Sequence, residues 1–404
     1  MRGFRDLILD ACLHCYAYDA QIEGTRADYM LELIDGTPDR DFYHDKVLKA
    51  LAGGEDNWDA AQRFRFAACL GMDGDARAKR AMYEAFSPGP KMGEAIGIDF
   101  LQMDGVEGLL FAAEKLGALL MSTTESVDLG WMMSVARENL GDEQAQEILR
   151  KAGEGNPQIE VYRLALEASR KRSDERLGKS GEIANMSYDQ LRPRLSELNF
   201  VWIRSWGEKA SETDIERAAQ GLAAAQNPKE QYAHLHIFSR RRFTGDIQLL
   251  FSLVNEEEER VGLGALIALS QITHPSVREL AFGLINARAK RRGEAVELLL
   301  RNFRPGDHEI ALEWFEADDD AEVRHSVGID LMKLCEMHPD KSTEPSVMRA
   351  LYEKGPCSFC RGNAVRKLVE LKALGDDLRA ECAYDANDDI RELVKEPDPQ
   401  AQSN

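Results

Sequence analysis

The sequence predicts an all-α chain whose short helices pack as antiparallel pairs. Three observations carry this reading. Apolar residues recur three and four positions apart almost throughout, while sustained two-residue alternation, the mark of a half-buried strand, is nearly missing. The helical stretches are short, about 10–17 residues each, and are parted by turn signals such as Gly53–Asp56, Gly71–Asp75 and Asn387–Asp389. Finally, the chain has 404 residues, beyond the roughly 250–300 at which one compact core stops growing, so it divides into domains or extends as an array. Short loops bring consecutive helices side by side, and about twenty of them in succession make a two-layered stack.

Taken in order, the segments resemble one another. Arg63 to Gly71 alternates Phe, Ala and Leu at helical spacing and is followed by the turn acid Asp75 with Ala76 and Arg77. Leu109 to Met121 is the longest apolar stretch, yet it carries Glu114 and Lys115 and is too short to span a bilayer. Val161-Tyr-Arg163 opens another helix; Arg170 to Glu182 is charged, rich in Gly and Ser and poor in apolar residues, which predicts an exposed loop or hinge. Beyond it come Arg260 to Leu269, His274-Pro-Ser-Val-Arg278, Asp319-Asp-Ala-Glu-Val-Arg324 and Cys357-Ser-Phe-Cys-Arg361. The expected division is an N-terminal helical array at 1–169, a hinge at 170–186, a C-terminal array at 187–395 and a disordered tail at 396–404.

Several of these segments share a turn acid or turn residue, then an apolar residue with Arg, then small and large apolar residues. This resembles the HEAT family of helical repeats, in particular the short bacterial form called the phycobilisome-lyase type. The likeness is clearest over 257–395 and around 55–86, and Val277, Val323 and Cys360 stand 46 and 37 residues apart in one register. It implies an α-solenoid, a HEAT/armadillo-like superhelix, with small residues such as Gly264, Ala281 and Ala364 where helices approach closely. It further implies a non-catalytic scaffold or adaptor that holds a macromolecular partner, a protein above all, on a concave surface. A chromophore-binding role like that of bilin lyases is a further alternative, with no residue pattern to transfer it.

Composition narrows the classes. With 51 Lys and Arg against 71 Asp and Glu the net charge is −20, a field that repels phosphate backbones and argues against general nucleic-acid binding. No apolar run is long enough to cross a membrane, and the N-terminal stretch, broken at Asp10, does not read as a secretory signal. Seven cysteines scattered over the chain make no disulfide framework, so a reducing cytoplasm is the expected location. No His-Glu-x-x-His, Gly-x-Ser-x-Gly, phosphate-binding Gly loop or dinucleotide fingerprint occurs, so no catalytic residue and no cofactor are expected.

Four groups of residues stand out. Cys12-Leu-His-Cys15 and Cys357-Ser-Phe-Cys360 have metal-ligand spacing, but Cys357 stands 342 positions after Cys15, and the register puts Cys360 at a core position; packing is expected, with metal or redox roles as the alternative. His234 and His236, two apart on one helix, point in nearly opposite directions and cannot easily share an ion. Trp202 and Trp206, with Glu208 and Asp214 nearby, resemble the Trp and acid of HEAT-like alkylpurine DNA glycosylases, and inter-repeat core is the competing reading. Lastly, residues 229–304 carry +3 while the remainder carries −23. Within that span Arg240, Arg241, Arg242, Arg288, Lys290, Arg291, Arg292, Arg301 and Arg304 fall near helix ends. In a stack they align as a basic ridge for an acidic or phosphate-bearing segment, unless they only solvate helix C-termini.

Overall fold

The computed structural model describes residues 4–53 and 55–395. Among these the chain is helical without a strand, and it forms two compact units, Met1–Glu175 and Arg176–Asn404. The first unit holds α1 (Arg5–Leu13), α2 (Ala20–Glu23), α3 (Ala27–Asp35), α4 (Arg40–Lys49), α5 (Trp58–Met72), α6 (Ala76–Ala85), α7 (Gly93–Asp104), α8 (Val106–Ser122), α9 (Trp131–Leu140) and α10 (Asp142–Gly153). Helix α11 (Pro157–Ala184) runs across the boundary. The second unit continues with α12 (Tyr188–Leu191), α13 (Phe200–Lys209), α14 (Glu212–Ala224), α15 (Pro228–Ile237), α16 (Ile247–Val254), α17 (Glu259–Ser270), α18 (Pro275–Asn286) and α19 (Ala295–Leu299). It ends with α20 (Asp307–Ala317), α21 (Ala321–Met337), α22 (Glu344–Lys354), α23 (Ser358–Glu370), α24 (Asp376–Cys382) and α25 (Asp388–Val394). The expected tail at 396–404 lies outside the described residues.

Local chemistry sets the helix starts. Side-chain oxygens of Asn57, Asp75, Asn199, Ser211, Asn227, Asp246, Asp320 and Asn387 accept from backbone N–H groups of the first turn they precede, satisfying donors that have no partner within the helix. Pro228 and Pro275 occupy first-turn positions, where a missing N–H costs nothing.

The hinge expected at 170–186 is helical as far as Ala184. Arg, Lys and Glu have helix propensities close to that of Ala, so a polar segment without a buried face extends a helix that packing has already nucleated. Gly and Ser there did not suffice to break it.

Within each unit consecutive helices pair and alternate helices stack. In the first, α5 packs on α6, α7 on α8 and α9 on α10, while α5, α7 and α9 form a row. In the second, the row is α13, α15, α17, α19 and α21, with α23 against α25, and α16, α18, α20 and α22 each pair with the helix that follows. Alanine and glycine make the close approaches possible. A Cβ at Gly117 would lie 1.8 Å from the carbonyl oxygen of Gln158, so α8 meets the start of α11 backbone to side-chainless backbone. Ala281 and Ala364 are fully buried, and Gly264 of α17 faces Leu235 of α15.

Polar side chains lock the turns together. Asp307 is fully buried and receives both arms of the Arg278 guanidinium, Nη2 donating to Oδ1 at 2.5 Å, as well as the backbone N–H of Arg304 at 2.7 Å. Arg278 also donates to the carbonyl of Asn302, whose own amide donates to Ile272 O and Leu298 O and accepts from His274 N. The same device recurs where Arg361 meets the buried Asp385. In the first unit Glu94 reaches from α7 to accept from Gly130 N, Trp131 N and the hydroxyl of Tyr162, capping α9 from outside.

Because removing one partner strands a buried charge, Asp307→Ala is expected to destabilise the second unit by about 3 kcal/mol. Arg278→Met in the Asp307→Ala background should cost little more, a non-additivity that denaturant melts of the single and double variants would detect.

Candidate functional site

The basic residues of 229–304 do not stand as an unpaired ridge. Arg240 pairs with Glu208 at 2.8 Å and Arg241 with Glu212 at 2.5 Å, each joining the turn after α15 to the end of α13 or the start of α14. Lys290 pairs with Glu259 at 2.9 Å, and Arg292 holds Asp318 through two hydrogen bonds of 2.5 and 3.0 Å. Arg291 is half-buried and donates to Val254 O at 2.7 Å, with Glu256 O and Glu259 O farther off, so its charge sits on the C-terminus of α16. Its guanidinium carbon lies 2.3 Å from where a Cβ of residue 262 would stand, so Gly262 leaves room for this placement of the Arg291 side chain. Arg301 donates to the side chain of Gln271 at 3.2 Å.

What remains for a partner is smaller than the sequence suggested. Arg242, Arg288 and Arg304 are exposed and form no ion pair among the described residues. Arg288 adopts a positive φ of 46° and lines, with Arg292, Ile285, Trp314 and Asp318 to Asp320, a surface cavity of about 320 Å³. The cavity thus presents one unpaired arginine beside a run of three aspartates.

The two histidines two apart fall in different surroundings. His234 is buried; its Nδ1 donates to Glu230 O at 2.8 Å, which leaves Nε2 to accept from the Tyr188 hydroxyl at 2.8 Å. Burial holds its pKa below the usual imidazole range. Both nitrogens are spent, so His234 is not placed to move protons for a ligand in the adjoining cavity of about 500 Å³, which Asp189, Arg192, Ser196 and Glu230 also line. His236 stacks on Phe200 and meets the edge of Tyr232, and burial lowers its pKa to about 4.

Trp206 is 1% exposed and donates its indole N–H to Met186 O at 2.7 Å. It is a core residue and does not face a groove; Trp202 is half-buried against the same core. Cys12 is fully buried among Met30, Ile34 and Val47, where burial pushes its thiol up to about 12. Cys360, expected in the core with Val277 and Val323, is half-buried, and Cys357 is 4% exposed.

Sequence reasoning missed a buried acidic group between α19 and α21. Glu297, half-buried and accepting from Ser270 Oγ at 3.3 Å, is pushed up to about 7 by burial, with the Asp330 carboxylate adding to the effect. Asp330 and Glu294 are raised as well, chiefly by burial, and Lys333 offsets part of this by pairing with Asp330 at 2.8 Å. Only the stacking of α19 on α21 brings these acids together, and no local pattern announces it.

Comparison with protein-family models, curated proteins and solved structures gives no match.

Two expectations follow from this geometry. Arg291→Ala should cost about 1–3 kcal/mol, since it removes charged hydrogen bonds to a helix end, whereas Arg242→Ala should stay within about 0.5 kcal/mol of the parent; thermal melts at neutral pH separate them. For Glu297, the folded chain retains a proton between about pH 4.5 and 7 that the unfolded chain has released. Its contribution is therefore present at low pH and lost as pH rises through about 7. Glu297→Gln should melt like the parent near pH 4 and be more stable at pH 8, by on the order of 2 kcal/mol, as melts at the two pH values would show.

Proposed function

We propose that this chain is a HEAT-like α-solenoid acting as a non-catalytic scaffold or adaptor for a protein partner in the cytoplasm. The observation that carries the reading is where the buried polar chemistry goes. Arg278–Asp307, Arg361–Asp385, Asn302 and Glu94 join neighbouring turns and helix ends; they do not converge on a cavity. Chemistry spent on joints supports an array whose exposed row of helices is its working surface. The pairing of consecutive helices and the stacking of alternate ones support the same reading. No helix among the described residues is long and apolar enough to cross a membrane.

On this reading the partner offers an acidic or phosphorylated segment to Arg242, Arg288 and Arg304, whose planar guanidinium groups can hold such groups through two hydrogen bonds. The acidic remainder of the surface repels bulk nucleic acid. A DNA-glycosylase-type alternative rests on Trp202 and Trp206, and the burial of Trp206 weighs against it.

The test is affinity capture followed by mass spectrometry, comparing the parent with an Arg242→Glu, Arg288→Glu, Arg304→Glu variant. The variant should keep its helix content and melting temperature while retention of the captured partner falls by more than about tenfold and loses its salt dependence. Equal retention by a folded variant would place the partner elsewhere. A shift of labelled duplex DNA at moderate salt would favour the nucleic-acid reading.

A further inference from the structure

Three metal-binding side chains converge in the second unit. His325 stands in the second turn of α21, Cys357 is the residue immediately before α23 and Cys360 lies in the first turn of α23. One ligand atom from each, an imidazole nitrogen and two sulfurs, lies within 4.8 Å of the other two. Neither cysteine is in a disulfide. Cys357 is buried while Cys360 and His325 are half-buried, so the cluster sits just below the surface and within reach of solvent.

The local structure explains the convergence. At a helix start the side chains of the N-cap residue and of the residue three later turn toward each other, the geometry that a capping box exploits. Here both positions carry thiols. Asn, Asp and Ser caps open many of the described helices, among them α13 to α16, but Cys357 makes no such capping bond. The start of α23 thus forgoes a cap and places two sulfurs side by side at the positive end of a helix, where an anionic sulfur is favoured. The imidazole is delivered from α21, a helix earlier in the unit with α22 between them in sequence.

We propose that His325, Cys357 and Cys360 bind one zinc ion, with the fourth position left to water or to a donor from outside the chain. Two thiolates and an imidazole form a borderline-soft donor set that suits zinc and disfavours magnesium or calcium. Zinc bonds of about 2.3 Å to sulfur and 2.0–2.1 Å to nitrogen need the three donors roughly 3.5–4 Å apart, a contraction that small side-chain rotations supply. The ion would link α21 to α23 and so stiffen the C-terminal part of the second unit. The first Cys-x-x-Cys differs in its surroundings. Cys12 is fully buried in an apolar cluster with its thiol pushed up to about 12, and among the described residues it belongs to no group of three or more His, Cys, Asp or Glu ligand atoms.

The test uses the full chain, made without a histidine tag, reduced, stripped with chelator and titrated with Co(II) and then Zn(II). One Co(II) per chain should bind with a thiolate-to-cobalt charge-transfer band and the intense visible bands of tetrahedral coordination, and zinc should displace it one for one. Zinc should also raise the melting temperature. Cys360→Ser and Cys357→Ser should abolish the charge-transfer band, and His325→Gln should weaken zinc binding by more than about tenfold; Cys15→Ser should change nothing. Circular dichroism checks each fold, and the half-buried Cys360 and His325 serve if Cys357→Ser unfolds. The proposal is overturned by a folded, reduced parent chain that gives no charge-transfer band, by a band that survives Cys360→Ser, or by a band lost with Cys15→Ser. A Cys357–Cys360 disulfide in the isolated protein, with no metal uptake after reduction, would overturn it in favour of a redox pair.

Discussion

The second unit depends on the burial of Asp307 beneath Arg278. A carboxylate taken fully out of water is tolerated only if its charge and its oxygens are satisfied, and here one guanidinium and one backbone N–H do so. Because Arg278 belongs to α18 and Asp307 opens α20, the pair fixes how one turn sits on the next. Asn302 extends the lock to the turn ahead of α18, accepting from His274 N and donating to Ile272 O. Short helices leave many unsatisfied backbone groups at their ends, and a packed row of them is stable only if those groups find partners on neighbouring helices and turns.

The same constraint accounts for the fate of the basic residues. Cations favour helix C-termini, and within the second unit acidic residues of neighbouring helices and turns lie beside them. Arg291 goes to the end of α16, Arg292 to Asp318, and Arg240 and Arg241 to Glu208 and Glu212. The net charge of the segment was a sound count, yet charge per segment does not measure charge available to a partner. Of the nine basic residues singled out from sequence, Arg242, Arg288, Arg301 and Arg304 are exposed and outside any ion pair among the described residues; Arg301 donates to Gln271, and the other three carry the proposed docking role.

In the proposed zinc site the C-terminal helices are joined by a different kind of lock. There the Arg361–Asp385 pair ties α23 to the turn ahead of α25, and the His325, Cys357 and Cys360 cluster would tie α23 back to α21. Charge pairs and a metal would then do the same mechanical work at successive joints.

By itself the sequence determined the all-helical class and many of the helix starts. Caps such as Asn57, Asp75 and Asn227 and the first-turn prolines act within a few residues, so they are legible without the fold. Helix continuity through 170–184 was misread because Gly and Ser there signal a turn, while the Arg, Lys and Glu between them sustain a helix already nucleated at Pro157. Only the tertiary structure decided which polar groups meet. Arg278 and Asp307 stand 29 residues apart, and His325 stands 32 residues before Cys357. Whether such residues touch depends on the length of each loop and the angle of each helix crossing, quantities set by the packing of many side chains at once and by no local pattern.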